Sequence, residues 1–216
     1  MIILAIDSST EHGGVALWQD GELSERVVHS PDGFAHVVFG ELERLLTGCG
    51  VTLGEVDAFA AASGPGSFTG VRVALSAAKG FAEVHDKPLF AVSNLEAIAS
   101  LGSVALRAPL LDARRGEVYG GVYDPSLRPV RAEVVMPLRA WLDSLPEGAV
   151  EILCPYPERF AEELRDRRVT NVPHAVACAV AQLAAERYRS GERPSAAASD
   201  ANYVRRSDAE VNWREA

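Results

Sequence analysis

Residues 62–80 read ASGPGSFTGVRVALSAAKG. Within residues 64–70, three glycines, a proline and two hydroxyl side chains stand between an apolar run and a helical pattern. Gly64 and Gly66 permit positive φ or close backbone approach, and Pro65 stiffens the bend. Ser67 or Thr69 can cap the helix that follows. A helix start of this kind also presents free N–H groups that suit an anion. The loop is not a Walker motif, because Gly70 is followed by Val71 and Arg72 rather than Lys-Ser/Thr. It does not fit GxGxxG with an acidic residue downstream, nor the G-x-S-x-G nucleophile elbow. Two readings stay open. Gly64, Pro65, Gly66 and Gly70 form a structural turn, or Ser67 and Thr69 join Asp7 and Ser8 in contacting a nucleotide phosphate.

The surroundings alternate between strand and helix. MIILAIDSS reads as a buried strand ending in a turn. GGVALWQ and GELSERVVHS alternate like a hairpin, with Asp20-Gly21 as its turn. Residues 34–47 show helical spacing, with Phe34, Val38, Leu42 and Leu45 on one face. VDAFAAASG is a short buried strand, residues 69–84 are helical, KPLFAVS is another strand and NLEAIASL a short helix. The second half begins in the same way, with APLLDARRGEVYGGVYD as two strands about a turn at Arg114–Gly116. RAEVVMP and VEILCP add strands, and helices are expected near 138–145, 157–168 and 174–190. A hairpin followed by α/β elements in both halves suggests duplication, without a clear sequence repeat.

Composition narrows the function. The chain has 216 residues, 48% hydrophobic, enough for one large domain or two small lobes. A formal charge of −9, with no basic block, disfavours independent nucleic-acid binding. Cys49, Cys154 and Cys178 are far apart and form no CxxC pair, so neither a disulfide framework nor a cysteine zinc site is expected. The five histidines, His12, His29, His36, His85 and His174, make no HExxH or i,i+4 pair, and no metal site is expected from them. The opening residues lack a basic n-region, and no apolar run approaches the roughly 18–20 residues of a membrane helix. A cytoplasmic protein is expected.

Four segments together resemble one family. ILAIDSST, SGPGSFTGVRV with Lys79-Gly80 nine residues beyond the loop, LLDARRGEVY and NYVRRSDAE resemble the bacterial TsaB (YeaZ) family over nearly the whole chain. One departure is Ala201, where the family usually has proline. The resemblance implies an α/β ASKHA (actin/sugar kinase/Hsp70-like) fold of two ribonuclease H-like lobes, the second reduced. The division implied is a partner-binding lobe over 1–102 and a second lobe over 103–216, with a flexible segment near 191–202. It also implies work in tRNA threonylcarbamoyladenosine synthesis, as partner of the catalytic paralogue TsaD with the ATPase TsaE. A homodimer is implied when the chain is alone, and contact with tRNA only through the complex.

Against the catalytic paralogue, the expected chemistry is missing. Its glycine-rich phosphate turn matches Asp112-Ala113-Arg114-Arg115 here, whose side chains bar close approach. Its two metal histidines match Asn94 and Ile98, and Ile98 cannot ligate a metal. The reading is therefore a non-catalytic subunit with no cofactor of its own, ATP or ADP having a place only at the interface with TsaD. A small-molecule kinase or ATPase of the same fold is the alternative. On helix 69–84, Arg72, Ser76, Lys79 and Glu83 fill a narrow polar sector, and the apolar arc exceeds the ~100° that one core contact needs. The surplus is covered either by helix 34–47 or by a partner. The partner reading puts Phe34, Val38, Leu42, Leu45, Val71, Ala74, Leu75, Ala78 and Phe81 at the interface.

Overall fold

The computed structural model describes residues 1–31 and 33–205, so the end of the NYVRRSDAE motif lies outside the described residues. The chain divides into two compact units, residues 1–97 with 173–201, and residues 98–172 with 202–205. Each unit is built on a five-stranded sheet.

In the first unit, β1 (Ile2–Asp7), β2 (His12–Gln19) and β3 (Glu22–His29) form an antiparallel meander. Asp20 and Gly21 turn the hairpin, both with positive φ as its two-residue loop requires. β4 (Ala58–Ala62) and β5 (Leu89–Val92) then add in parallel, giving the order β3-β2-β1-β4-β5. Strand alternation sends Leu4 and Ile6 to one face of β1, where α1 (Val38–Cys49) and α2 (Phe68–His85) cover them. The opposite face carries Ile3, Ala5 and Asp7, and α5 (Ala177–Arg189) packs on β1, β2 and β4.

The second unit repeats the plan with shorter helices. β6 (Leu106–Arg114), β7 (Glu117–Tyr123) and β8 (Pro129–Pro137) form the meander. β9 (Val150–Cys154) and β10 (Val169–Asn171) add in parallel, in the order β10-β9-β6-β7-β8. Helix α4 (Leu138–Asp143) is only 6 residues long and buries Leu138, Trp141 and Leu142. α3 (Asn94–Ser100) spans the boundary between the units. The duplicated ASKHA plan, with a reduced second lobe, is thus present in the topology.

Several expectations need correction. The division at 102/103 put helix 174–190 in the second lobe, but the first sheet needs cover on both faces, and α5 supplies the second. The segment near 191–202 packs on the edge of the first sheet. Leu89 donates its N–H to the Pro194 carbonyl at 3.0 Å, Ser199 Oγ donates to Leu89 O at 2.8 Å, and Ala196 is buried in the core. These residues satisfy the edge of β5. The first helix starts at Val38, not at 34, because Phe34 anchors a turn that accepts the N–H groups of Val37 and Val38. It runs on to Cys49, where Gly50 closes it at φ 67°. The helix expected at 157–168 reduces to a short 3-10 turn over Pro157–Phe160 followed by turns, since only Leu164 there is fully buried.

Candidate partner interface and the glycine loop

The glycine loop packs against the end of β1. Ser67 N–H donates to the Ser9 carbonyl at 2.7 Å, and Ser8 Oγ donates to the Gly70 carbonyl at 2.7 Å. Positive φ falls on Gly64, at 101°, and not on Gly66. Gly66 is needed for space, because a Cβ there would lie 2.5 Å from the Ser9 carbonyl oxygen. A Cβ on Gly70 would collide with the Ser8 carbonyl oxygen. Pro65 is buried, and Ser67 caps α2 by accepting the Gly70 N–H at 3.2 Å. Thr69 is exposed on the first turn and makes no such bond.

Asp7 is taken up by this framework rather than aimed outward. One carboxylate oxygen accepts Ser9 N–H at 2.9 Å and Ser9 Oγ at 2.6 Å, and the other accepts Val176 N–H at 2.9 Å. Burial pushes its pKa up, and the hydrogen bonds from Ser9 and Val176 oppose that rise. Asn94 completes the knot. Its side chain donates to Ser9 Oγ at 2.5 Å and accepts Gly64 N–H at 2.9 Å, while its own N–H donates to Gly64 O at 2.8 Å. Asp7 and Ser8, expected as phosphate contacts, are therefore buried and engaged internally. The loop's close approach is to the chain's own backbone. The turn of the β6–β7 hairpin carries bulky side chains. Arg114 and Arg115 occupy it with positive φ, and Arg114 N–H is bonded to Asp112.

The expected interface residues also need correction. Val38, Leu42, Leu45, Val71, Ala74, Leu75 and Ala78 all lie in the unit's own core. Phe34 is buried too, and a Cβ on Gly13 of β2 would strike its ring, 2.6 Å from Cζ. Phe81 is half-buried, stacked on Phe59 with ring centroids 5.7 Å apart. Helix α1, expected over 34–47, thus covers this face of α2 together with the sheet.

The outer face of the same two helices has a different character. On α2, Val73, Ala77, Gly80 and Val84 fall within about 60° of arc at 100° per residue. Val73 and Ala77 are half-buried, Gly80 is exposed, and Val84 is 79% exposed. Phe39 on α1 is 58% exposed, whereas Phe68 at the start of α2, 44% exposed, lies off this stripe with the Arg72 guanidinium 3.6 Å over its ring. Gly40 and Gly48 of α1 and Gly80 of α2 would each carry a Cβ into open space. Glycine inside a helix costs roughly 0.5–1 kcal/mol relative to alanine, and among the described residues no contact requires it at these three places. Small residues beside exposed apolar ones let a second helix approach closely. The residues expected at the interface lie instead on the inner, core-facing side of these two helices.

Comparison with known proteins adds the following. The family model of TsaD, tRNA N6-adenosine threonylcarbamoyltransferase, matches residues 34–153. The tRNA threonylcarbamoyladenosine biosynthesis protein TsaB of Bacillus subtilis is 35% identical over 153 residues, covering 68% of this chain and 67% of that protein. The TsaB of Escherichia coli is 38% identical over 128 residues, covering 57% of this chain and 55% of that protein. A crystal structure from Pseudomonas aeruginosa, of a protein with similarity to peptidase YeaZ, superposes with a TM-score of 0.81 at 28% identity. It covers 94% of this chain and 99% of that one.

Proposed function

Because this chain belongs to the TsaB (YeaZ) family, we propose that it is a non-catalytic subunit in tRNA threonylcarbamoyladenosine synthesis. In this reading it is required for threonylcarbamoylation of the adenosine 3′ to the anticodon, and it acts by binding and supporting the catalytic paralogue TsaD. TsaE is the third component.

The observation that carries this reading is the outer face of α1 and α2. Phe39, Gly80 and Val84 are exposed on it, and a Cβ on Gly80 would enter open space. The match to the TsaD family over residues 34–153 includes both helices. Two paralogues that share this lobe can pair their equivalent helices about an approximate two-fold axis, as a homodimer does about an exact one. TsaD is therefore the proposed occupant, and a second copy of this chain takes its place when TsaD is absent.

The non-catalytic part of the reading rests on Asn94, Ile98, Arg114 and Arg115. Asn94 is spent on holding the glycine loop, and Ile98 is buried and apolar. The chain carries no nucleotide by itself in this reading, and ATP or ADP is held only once TsaD is bound. Its −9 charge keeps tRNA contact indirect.

Reconstitution tests the proposal. The purified chain, mixed with threonylcarbamoyl-adenylate and tRNA, is expected to give no modified adenosine, and addition of TsaD and TsaE from the same organism is expected to give it. Robust product from the chain alone would overturn the non-catalytic reading. Full activity of TsaD and TsaE without this chain would overturn the requirement.

A further inference from the structure

Three of the five histidines, separated in sequence, meet in space. His12 opens β2 and His29 closes β3, and the two are direct cross-strand partners. Their imidazole rings stack with centroids 4.3 Å apart and planes 17° from parallel. Glu11 precedes His12, and one ligand atom each from Glu11, His12 and His29 lies within 4.8 Å of the other two. The ring of His174 stands edge-on to His12, with centroids 4.8 Å apart.

The backbone beneath these side chains is fixed. Ser30 N–H donates to the Glu11 carbonyl at 2.8 Å, closing the open end of the hairpin. Thr10 Oγ1 accepts His12 N–H at 3.1 Å and donates to His12 O at 2.6 Å. Two residues after His174, Val176 is bonded to Asp7. The group is thus carried on a paired hairpin and a pinned segment, the kind of support that positions ligands well.

We propose that Glu11, His12 and His29 bind one divalent transition-metal ion of the zinc class, with His174 beside the fourth position. Two imidazole nitrogens and one carboxylate oxygen are the donors that such ions take, whereas magnesium and calcium want oxygen ligands. In a tetrahedral site, ligand atoms at about 2.0–2.2 Å from one ion lie about 3.3–3.6 Å apart. The three atoms lie within 4.8 Å of one another, and turning the stacked imidazole rings out of parallel would bring their nitrogens and the Glu11 carboxylate onto one ion. Three protein ligands leave one tetrahedral position, which a water or His174 fills. With His174 in that position, the bound ion ties the open end of the β2–β3 hairpin to the segment leading into α5. This site is independent of the α1–α2 face.

The test is zinc titration of the full chain by calorimetry, with cobalt absorption spectra reporting the ligand set. The wild-type chain is expected to bind one zinc and to melt at a higher temperature with it. His12→Gln and His29→Gln are each expected to weaken binding by at least about tenfold, the loss that even an outer-shell change brings. Glu11→Gln is expected to do the same, while a His36→Gln, His85→Gln double variant keeps wild-type affinity. Circular dichroism and melting of the metal-free variants control for folding. The proposal is overturned if the wild-type chain takes up no zinc at millimolar concentration, or if a folded His12→Gln, His29→Gln double variant binds zinc as the wild type does.

Discussion

Asp7 accepts the backbone N–H of Val176 at 2.9 Å, across 169 residues of sequence. That bond joins the first strand to the approach of α5, and with Ser9 it leaves neither carboxylate oxygen idle. Asp7→Asn keeps the shape but must turn an NH2 group toward either Val176 N–H or Ser9. It is expected to lower stability by about 1–3 kcal/mol, the cost of a buried unsatisfied donor. The pH dependence has a definite sign. Burial raises the folded-state pKa of Asp7, so the unfolded chain loses this proton first. The Asp7 contribution therefore falls as pH rises from about 4 through the folded pKa. Urea melts across this range should show the wild type's advantage over Asp7→Asn shrinking with rising pH, and a growing advantage would contradict the assignment.

Glycines 70 and 80 lie on one helix but answer to different constraints. Gly70 faces the Ser8 carbonyl, and Gly80 faces open space. Gly70→Ala is expected to cost more than about 3 kcal/mol, because backbone rather than a flexible side chain stands in the way. Gly80→Ala is expected to raise the stability of the isolated chain by about 0.5–1 kcal/mol. Thermal melts of the two variants check the contrast. Equal behaviour would remove the reason given for the glycine in the loop.

The hairpin was legible because Asp20-Gly21 fixes its register, and that same register pairs every two residues whose numbers sum to 41. His12 and His29 satisfy it, so their meeting could have been read from the turn. His174 could not, since only the packing of α5 on the first sheet brings it there. The placement of α5 itself was hidden, because an alanine-rich helix suits either sheet. Helical spacing found α1 and α2 and their apolar faces. It could not say which apolar side chains the sheet would cover. Of the two cap candidates at the glycine loop, Ser67 is the one used, and the loop's packing on Ser8 and Ser9 depends on residues some sixty positions away.

Glu41 should show the opposite pH behaviour from Asp7. It is buried on α1, hydrogen-bonded by Arg26 at 2.6 Å and paired with Arg44. The Arg26 hydrogen bond, aided by the charges of both arginines, lowers its pKa against the opposing effect of burial. Its contribution is present above the unfolded pKa near 4.3 and is lost as pH falls through the folded value. Glu41→Gln is expected to cost about 1 kcal/mol at neutral pH. The gap should close in acid, and partly in 1 M salt, since both arginines reach solvent. A gap that widens in acid would refute the ion pair's role.

The three thiols should differ in reactivity. Burial pushes Cys154 up to about 11 and Cys178 up to about 12, the latter helped by Glu25. Thiolate is the reactive form, so both are expected to resist iodoacetamide at pH 8. Cys49, half-buried at the end of α1, is expected to be labelled first. Peptide mass mapping over time reads the order, and early labelling of Cys178 would contradict its environment.

The most direct test of the partner face is a Gly80→Glu, Val84→Glu double variant, measured for TsaD capture and for self-association by light scattering. Both positions are open on α2, so the melt is expected to stay within about 1 kcal/mol of wild type. Two carboxylates on the contact stripe would be desolvated without partners on binding. The account predicts a folded monomer that captures TsaD at least ~30-fold more weakly, a loss of about 2 kcal/mol in binding. A folded double variant that still pairs with itself and binds TsaD with wild-type affinity would contradict it.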